Sequence, residues 1–347
     1  MPRTSRRQII KIAAAAAVIP AFSKAPRAAE TNRTLGKGGP VVSAVGLGCN
    51  NFGGRLDAAA TERVVHAAVD LGITLFDTAD VYSGGASEEY LGQALGARRS
   101  SVLIATKFGG AMGSGPAPDG GGSRAAVMFA AEQSLRRLNT DVIDLYQYHR
   151  PDGVTPMEET LRALDDLVQQ GKVRYIGHSN FNASEARACA KISAGEGLTG
   201  YVTAQNHYSL LTRGIEAELV PACVELGQTV LPYFPLESGT LTGKYTRGEA
   251  PAEGTRMAAF SARSPDLADR FLNDERFTKI EQLSDLAESS GAELLDFAFG
   301  WLLSKPYIAS VIAGASRPDQ LEANVKAAEW RPTPEVDQEI DRITRPA

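Results

Sequence analysis

From Val41 onward, short apolar runs alternate with stretches in which apolar residues recur every three or four positions. That alternation predicts parallel strands joined by crossover helices. Strands are predicted near residues 42–47, 74–77, 102–106, 142–148, 173–178, 201–205, 229–234 and 308–313. Helices fall between them, among others at 58–71, 87–95, 125–138, 157–170 and 184–192. In the 157–170 stretch, Leu161, Leu164 and Val168 share one face, Asp165, Asp166 and Gln169 take the other, and Gly171 ends the helix. Eight strands in this rhythm predict closure into a single α/β (β/α)8 TIM barrel over residues 30–347, with no second domain. Two connections break the rhythm, 109–123 and 236–273. Both leave the C-terminal ends of strands, so they are expected as irregular loops around an entrance.

Residues 1–29 obey a different pattern. Ser5-Arg6-Arg7-Gln8-Ile9-Ile10-Lys11 matches a twin-arginine export signal, and residues 12–22 follow as an Ala-rich apolar run. Eleven residues are too few to span a bilayer as a helix. The expectation is an exported, periplasmic protein that meets the export machinery and, once cleaved, keeps no membrane span. Cleavage after Ala25 or Ser23 is compatible with the small residues there. The alternatives are a cytoplasmic protein or one anchored by an uncleaved signal.

The formal net charge of −5 hides an asymmetry. Residues 1–29 hold six of the 36 Lys and Arg and none of the 41 acids, so the remainder carries 30 bases against 41 acids, a net of −11. An acidic body argues against nucleic acid as a partner. The three cysteines, Cys49, Cys189 and Cys223, are too sparse for a disulfide framework, and no Cys or His pair has zinc-like spacing. Three free thiols and no metal are expected.

Four chemically capable residues stand at or just past predicted strand ends: Asp77, Tyr82, Lys107 and His149. Strand ends of a barrel open on one rim, so the four can converge. A phenol with a pKa of about 10 holds its proton too firmly for easy exchange at neutral pH. A neighbouring ammonium favours the phenolate and pulls that value down, and a carboxylate holds the ammonium in place. Asp77 and Asp80 are both within sequence reach of Lys107.

The words Phe76-Asp77-Thr78-Ala79-Asp80-Val81-Tyr82, Ala105-Thr106-Lys107 and Asp144-Leu145-Tyr146-Gln147-Tyr148-His149 resemble, in order and spacing, the catalytic tetrad of the aldo-keto reductases. The resemblance runs from about Val41 to Trp330. It implies that Asp77 rather than Asp80 partners Lys107, that Tyr82 is the general acid or base, and that His149 donates to a substrate carbonyl. It implies hydride transfer between NADP(H) and a small carbonyl or alcohol. An NADP(H)-binding sensor or auxiliary subunit with little turnover is the alternative. A phosphosugar-type lyase or isomerase barrel is disfavoured by the cofactor words.

Those words extend the resemblance. Ser179, Asn180 and Gln205 stand where the family holds the nicotinamide carboxamide, and Tyr233 where it stacks on the ring. Leu236, Ser238, Gly239 and Lys244 match the pyrophosphate-side loop, although Phe234 replaces the usual Ser. Gly314, Ser316 and Arg317 open the last cofactor word, with Ser316 and Arg317 on the 2′-phosphate and Gln320 and Asn324 toward the adenine. Ala313 departs from the usual Pro. The substrate pocket carries no recognisable code; Phe52, Met112, Met257 and Phe260 are the nearest apolar candidates.

Overall fold

The computed structural model describes residues 32–113, 115 and 120–345. The predicted export signal, 1–29, lies outside the described residues. In chain order the elements are β1 (Arg33–Thr34), β2 (Val41–Val42), β3 (Val45–Gly48), α1 (Ala58–Asp70), β4 (Leu75–Asp77), α2 (Ala86–Leu95), β5 (Leu103–Phe108) and α3 (Arg124–Arg137). There follow β6 (Ile143–Tyr148), α4 (Met157–Gln169), β7 (Val173–Ser179), α5 (Ala183–Glu196), β8 (Tyr201–His207), α6 (Leu219–Leu226) and β9 (Thr229–Tyr233). The C-terminal part holds α7 (Arg256–Arg263), α8 (Pro265–Asp269), α9 (Asp274–Ser289), α10 (Leu294–Ser304), β10 (Val311–Gly314), α11 (Pro318–Ala327) and α12 (Pro334–Thr344).

Eight parallel strands run in the order β10-β3-β4-β5-β6-β7-β8-β9. The seam between β9 and β10 is drawn together by Val230 N–H donating to Tyr307 O at 2.7 Å, so the sheet is a nearly closed barrel. The fold is the expected (β/α)8 barrel.

Two strand boundaries differ from the sequence reading. The expected strand at 42–47 is split: Val41–Val42 pairs antiparallel with Arg33–Thr34, and only Val45–Gly48 enters the barrel. Ser43 makes the break, since its hydroxyl donates to Val45 O at 2.7 Å and accepts from Thr74 N–H at 2.9 Å. The last strand begins at Val311, not Ile308; Ile308 only bridges to Val230.

Leu75, Leu103, Ala105, Leu145 and Leu231 fill the barrel interior together with Leu35 and Val42 from the β1–β2 hairpin. Side chains alternate along a strand, so the positions two residues further on face the same interior one layer higher. Those positions include Asp77, Lys107 and Gln147, and the polar floor of the site therefore rests directly on the apolar layer. Outside the barrel, α4 buries Leu161, Leu164 and Leu167, while Val168 is only half-buried. Each full Leu burial stabilises the fold by about 1.5–3 kcal/mol.

The 236–273 connection is not irregular as expected. It contains a 3₁₀ stretch at Glu237–Thr242 and then α7 and α8. Thr255 caps α7 by accepting from Ala258 N–H, Met257 is buried beneath it, and Pro265 opens α8. Cys49, Cys189 and Cys223 are free and buried. No helix of the described residues is long and apolar enough to cross a membrane.

Candidate active site

The rim at the C-terminal strand ends surrounds a cleft of about 640 Å³. Lys107, near the end of β5, is fully buried beneath its floor. Its Nζ donates to Asp77 Oδ1 at 2.6 Å, to Thr78 O at 2.9 Å and to the Tyr82 hydroxyl at 3.2 Å. Tyr82 begins a tight 3₁₀ turn, Tyr82–Gly85, directly after β4. His149 follows β6, and its ring meets Tyr82 edge to face with centroids 6.0 Å apart. The four predicted residues are thus in one place. Asp80 is not the lysine's carboxylate: only its backbone N–H approaches Lys107, at the carbonyl.

The second oxygen of Asp77 accepts from Gln205 Nε2 at 2.7 Å and Gln147 Nε2 at 3.2 Å. Sequence reasoning missed Gln147. The signal was present, because Leu145, Gln147 and His149 alternate along one strand face.

Electrostatics correct one expectation. Burial pushes the Tyr82 phenol above its ordinary value; Lys107 pulls it back, but Asp77 opposes that pull and burial prevails. The lysine therefore moderates the phenol without bringing it to neutral pH. Burial also works against the Lys107 ammonium, yet Asp77 and Tyr82 hold it above its usual range. Burial, aided by Lys107 and Arg150, pushes His149 down to about 3, so its imidazole is neutral at neutral pH.

All thirteen residues expected to hold a cofactor line the same cleft. Several are engaged with protein groups. Asn180 Nδ2 donates to His149 O at 2.9 Å and to Ser179 Oγ at 3.1 Å, while the Tyr233 hydroxyl donates to Asn180 Oδ1 at 2.8 Å. Gln320 Oε1 accepts from Ser316 N–H at 2.8 Å and Ser316 Oγ at 3.2 Å. The exposed Arg317 guanidinium forks onto Asp319 at 3.0 and 2.9 Å. Contact with a 2′-phosphate requires it to exchange that carboxylate.

Three observations fit a phosphate-bearing dinucleotide. Ser238 Oγ is buried, lines the cleft and has no protein partner. Gly239 has φ 99°, and its bare backbone leaves room for Lys244 Nζ, which would stand 2.8 Å from a Cβ there. Among the described residues, the cleft walls also carry Arg55, Arg150, Lys244, Arg256 and Arg317 against a single acid, Asp77, which is already paired. Arg55, Arg150 and Arg256 gave no sequence signal, because Arg55 and Arg150 stand in loops, Arg256 opens α7, and no shared motif joins them. Arg55 donates to Gly254 O at 2.7 Å and ties the first loop to the approach to α7.

The apolar candidates do not line this cleft. Phe52 and Met257 are core residues. Phe260 packs on Phe271, and Met112 borders a separate cavity of about 100 Å³ beside α3.

A barrel with this rim of Asp, Tyr, Lys and His defines an aldo-keto reductase fold, and the chain belongs to the aldo/keto reductase family, whose sequence profile matches residues 44–345. Members of that family generally bind NADP(H). Among its relatives is a "Probable voltage-gated potassium channel subunit beta" of Oryza sativa subsp. japonica, 36% identical over 321 residues, covering 90% of this chain and 96% of that protein. A protein of the same description from Arabidopsis thaliana is 35% identical over 319 residues, covering 90% and 95%.

Proposed function

We propose that this protein is an NADP(H)-dependent oxidoreductase that interconverts a small carbonyl compound, an aldehyde, ketone or sugar, with its alcohol. The reading is carried by one observation: Lys107 Nζ bonds Asp77 and the Tyr82 hydroxyl at once, on the floor of a cationic cleft. The dinucleotide supplies or accepts the hydride when bound. Ser179, Asn180 and Gln205 would hold its carboxamide, Tyr233 its ring, Ser238 and Lys244 its pyrophosphate, and Arg317 its 2′-phosphate.

In reduction Tyr82 gives its proton to the carbonyl oxygen, and the phenolate left behind is stabilised by Lys107 at 3.2 Å. A phenol held above its usual pKa is fully protonated beforehand, which suits the acid role. Neutral His149 offers one N–H to the same oxygen and orients it. In oxidation the proton moves the other way.

The second reading, an auxiliary subunit with little turnover, draws support from the descriptions of the two plant relatives. NADPH consumption with a panel of aldehydes, ketones and sugars separates the two. Turnover on the panel upholds the reductase, and bound dinucleotide without any turnover upholds the auxiliary subunit. Residues 1–29 are proposed to direct export to the periplasm, on the strength of Arg6-Arg7 and the apolar run behind them.

A further inference from the structure

Glu237 is fully buried, one residue before Ser238, and no step above uses it. Its carboxylate accepts from His207 Nε2 at 2.9 Å, from Arg276 Nη1 at 2.7 Å and from the Ser209 hydroxyl. Those partners come from the end of β8, from the first turn of α9 and from the turn after β8. Burial works against a charged carboxylate, yet His207, Arg276 and Ser209 together hold Glu237 at about 2. The backbone here is costly: Phe234, Glu237 and Ser238 have φ of 50°, 46° and 59°, a region non-glycine residues rarely occupy. A strained segment persists when its surroundings fix it, and this carboxylate supplies the fixing.

Two arms lead from Glu237 into the cleft. One runs along the chain to Ser238, Gly239 and Lys244. The other runs through His207, whose ring stacks on Tyr233 at 5.5 Å with an interplanar angle of 18°. We propose that Glu237 is a positioning residue that pins both the Ser238–Lys244 loop and the Tyr233 ring, and so sets how slowly the dinucleotide leaves. The inference rests on the cofactor reading above. Arg276 is the pin's outer anchor, since its other guanidinium arm reaches Thr212 Oγ1 at 3.4 Å and ties the same turn.

The test uses the full chain loaded with NADPH. Release is followed by stopped flow from the fluorescence of the bound nucleotide, with thermal unfolding measured in parallel. Glu237→Gln takes the charge out of all three contacts of the carboxylate and Arg276→Met removes the one from Arg276, so each is expected to speed release about 10- to 100-fold. The double variant is expected to be little faster than either single one, because both cut the same pin. Arg276 lies outside the cleft, so its variant carries the test if Glu237→Gln does not fold. Binding with unchanged release in the folded variants, whatever their unfolding temperature, overturns the pin and leaves the cofactor reading intact. Absence of NADPH binding by the wild type overturns the cofactor reading, and the pin with it.

Discussion

The Lys107 ammonium lies 2.6 Å from Asp77 Oδ1, and both side chains are buried at the barrel's polar layer. Neither charge can be removed alone without leaving the other unpaired in a poorly polarisable surround. Lys107→Met is therefore expected to destabilise the fold by about 3–5 kcal/mol. The paired change Asp77→Asn with Lys107→Met is expected to cost less than the two single losses summed. Urea unfolding of the four proteins measures both, and strict additivity would contradict the coupling.

Tyr82→Phe removes the hydroxyl and leaves the ring. Turnover is expected to fall by about 10²–10⁴-fold, the usual worth of a positioned proton donor, with NADPH affinity nearly unchanged. Measured kcat and Kd decide it. Near-wild-type kcat would remove Tyr82 from its proposed role.

The two depressed histidines give stability a definite pH dependence. His178 is fully buried against Gln228, and burial lowers it to about 4. An unfolded histidine titrates near 6.5, so the unfolded chain takes up a proton that the native site refuses. Stability is thus lost as pH falls through 6.5 toward 4, by about 2 kcal/mol for this residue between pH 7 and pH 5. His178→Gln is expected to flatten the pH dependence of the unfolding free energy by that amount over the same interval. A slope identical to wild type would show that His178 takes up its proton at the same pH in the native and unfolded states.

Arg317→Ala should weaken NADPH more than NADH, since only NADPH carries the 2′-phosphate. A charge-assisted bond contributes about 1.5–3 kcal/mol. The expected loss lies at the lower end, because Arg317 must leave Asp319, its partner at 2.9 Å. Titrating both nucleotides against both proteins gives the difference, and equal losses would mean that Arg317 does not read the phosphate.

Export is checked by fractionating cells that express the chain with and without Arg6→Lys/Arg7→Lys. The wild type is expected in the periplasm and the variant in the cytoplasm. A wild type found wholly in the cytoplasm would end the export proposal.

Much of this protein was legible in the chain itself, for local reasons. Strand and helix periods fix which face of each element is apolar, so the eight-fold alternation and the barrel could be read from spacing alone. Asp77, Lys107 and His149 announced themselves because a polar residue closing an apolar strand has few places to go but the rim. The cofactor-side residues were legible only through resemblance, as short words at strand ends. The rest was decided by contacts between residues far apart in sequence. That Ser43 splits the first strand depends on Thr74, 31 residues on. That Gln147 and Gln205 both serve Asp77 depends on three strands meeting at one height. Lys107 does pull the Tyr82 phenol down as expected, but burial outweighs it, and burial is a property of the folded surround that the order of residues does not report. Arg55, Arg150, Arg256 and the buried Glu237 left no mark in the chain: each is one charge outside any recognised word, and only folding supplies the surroundings that give it a task.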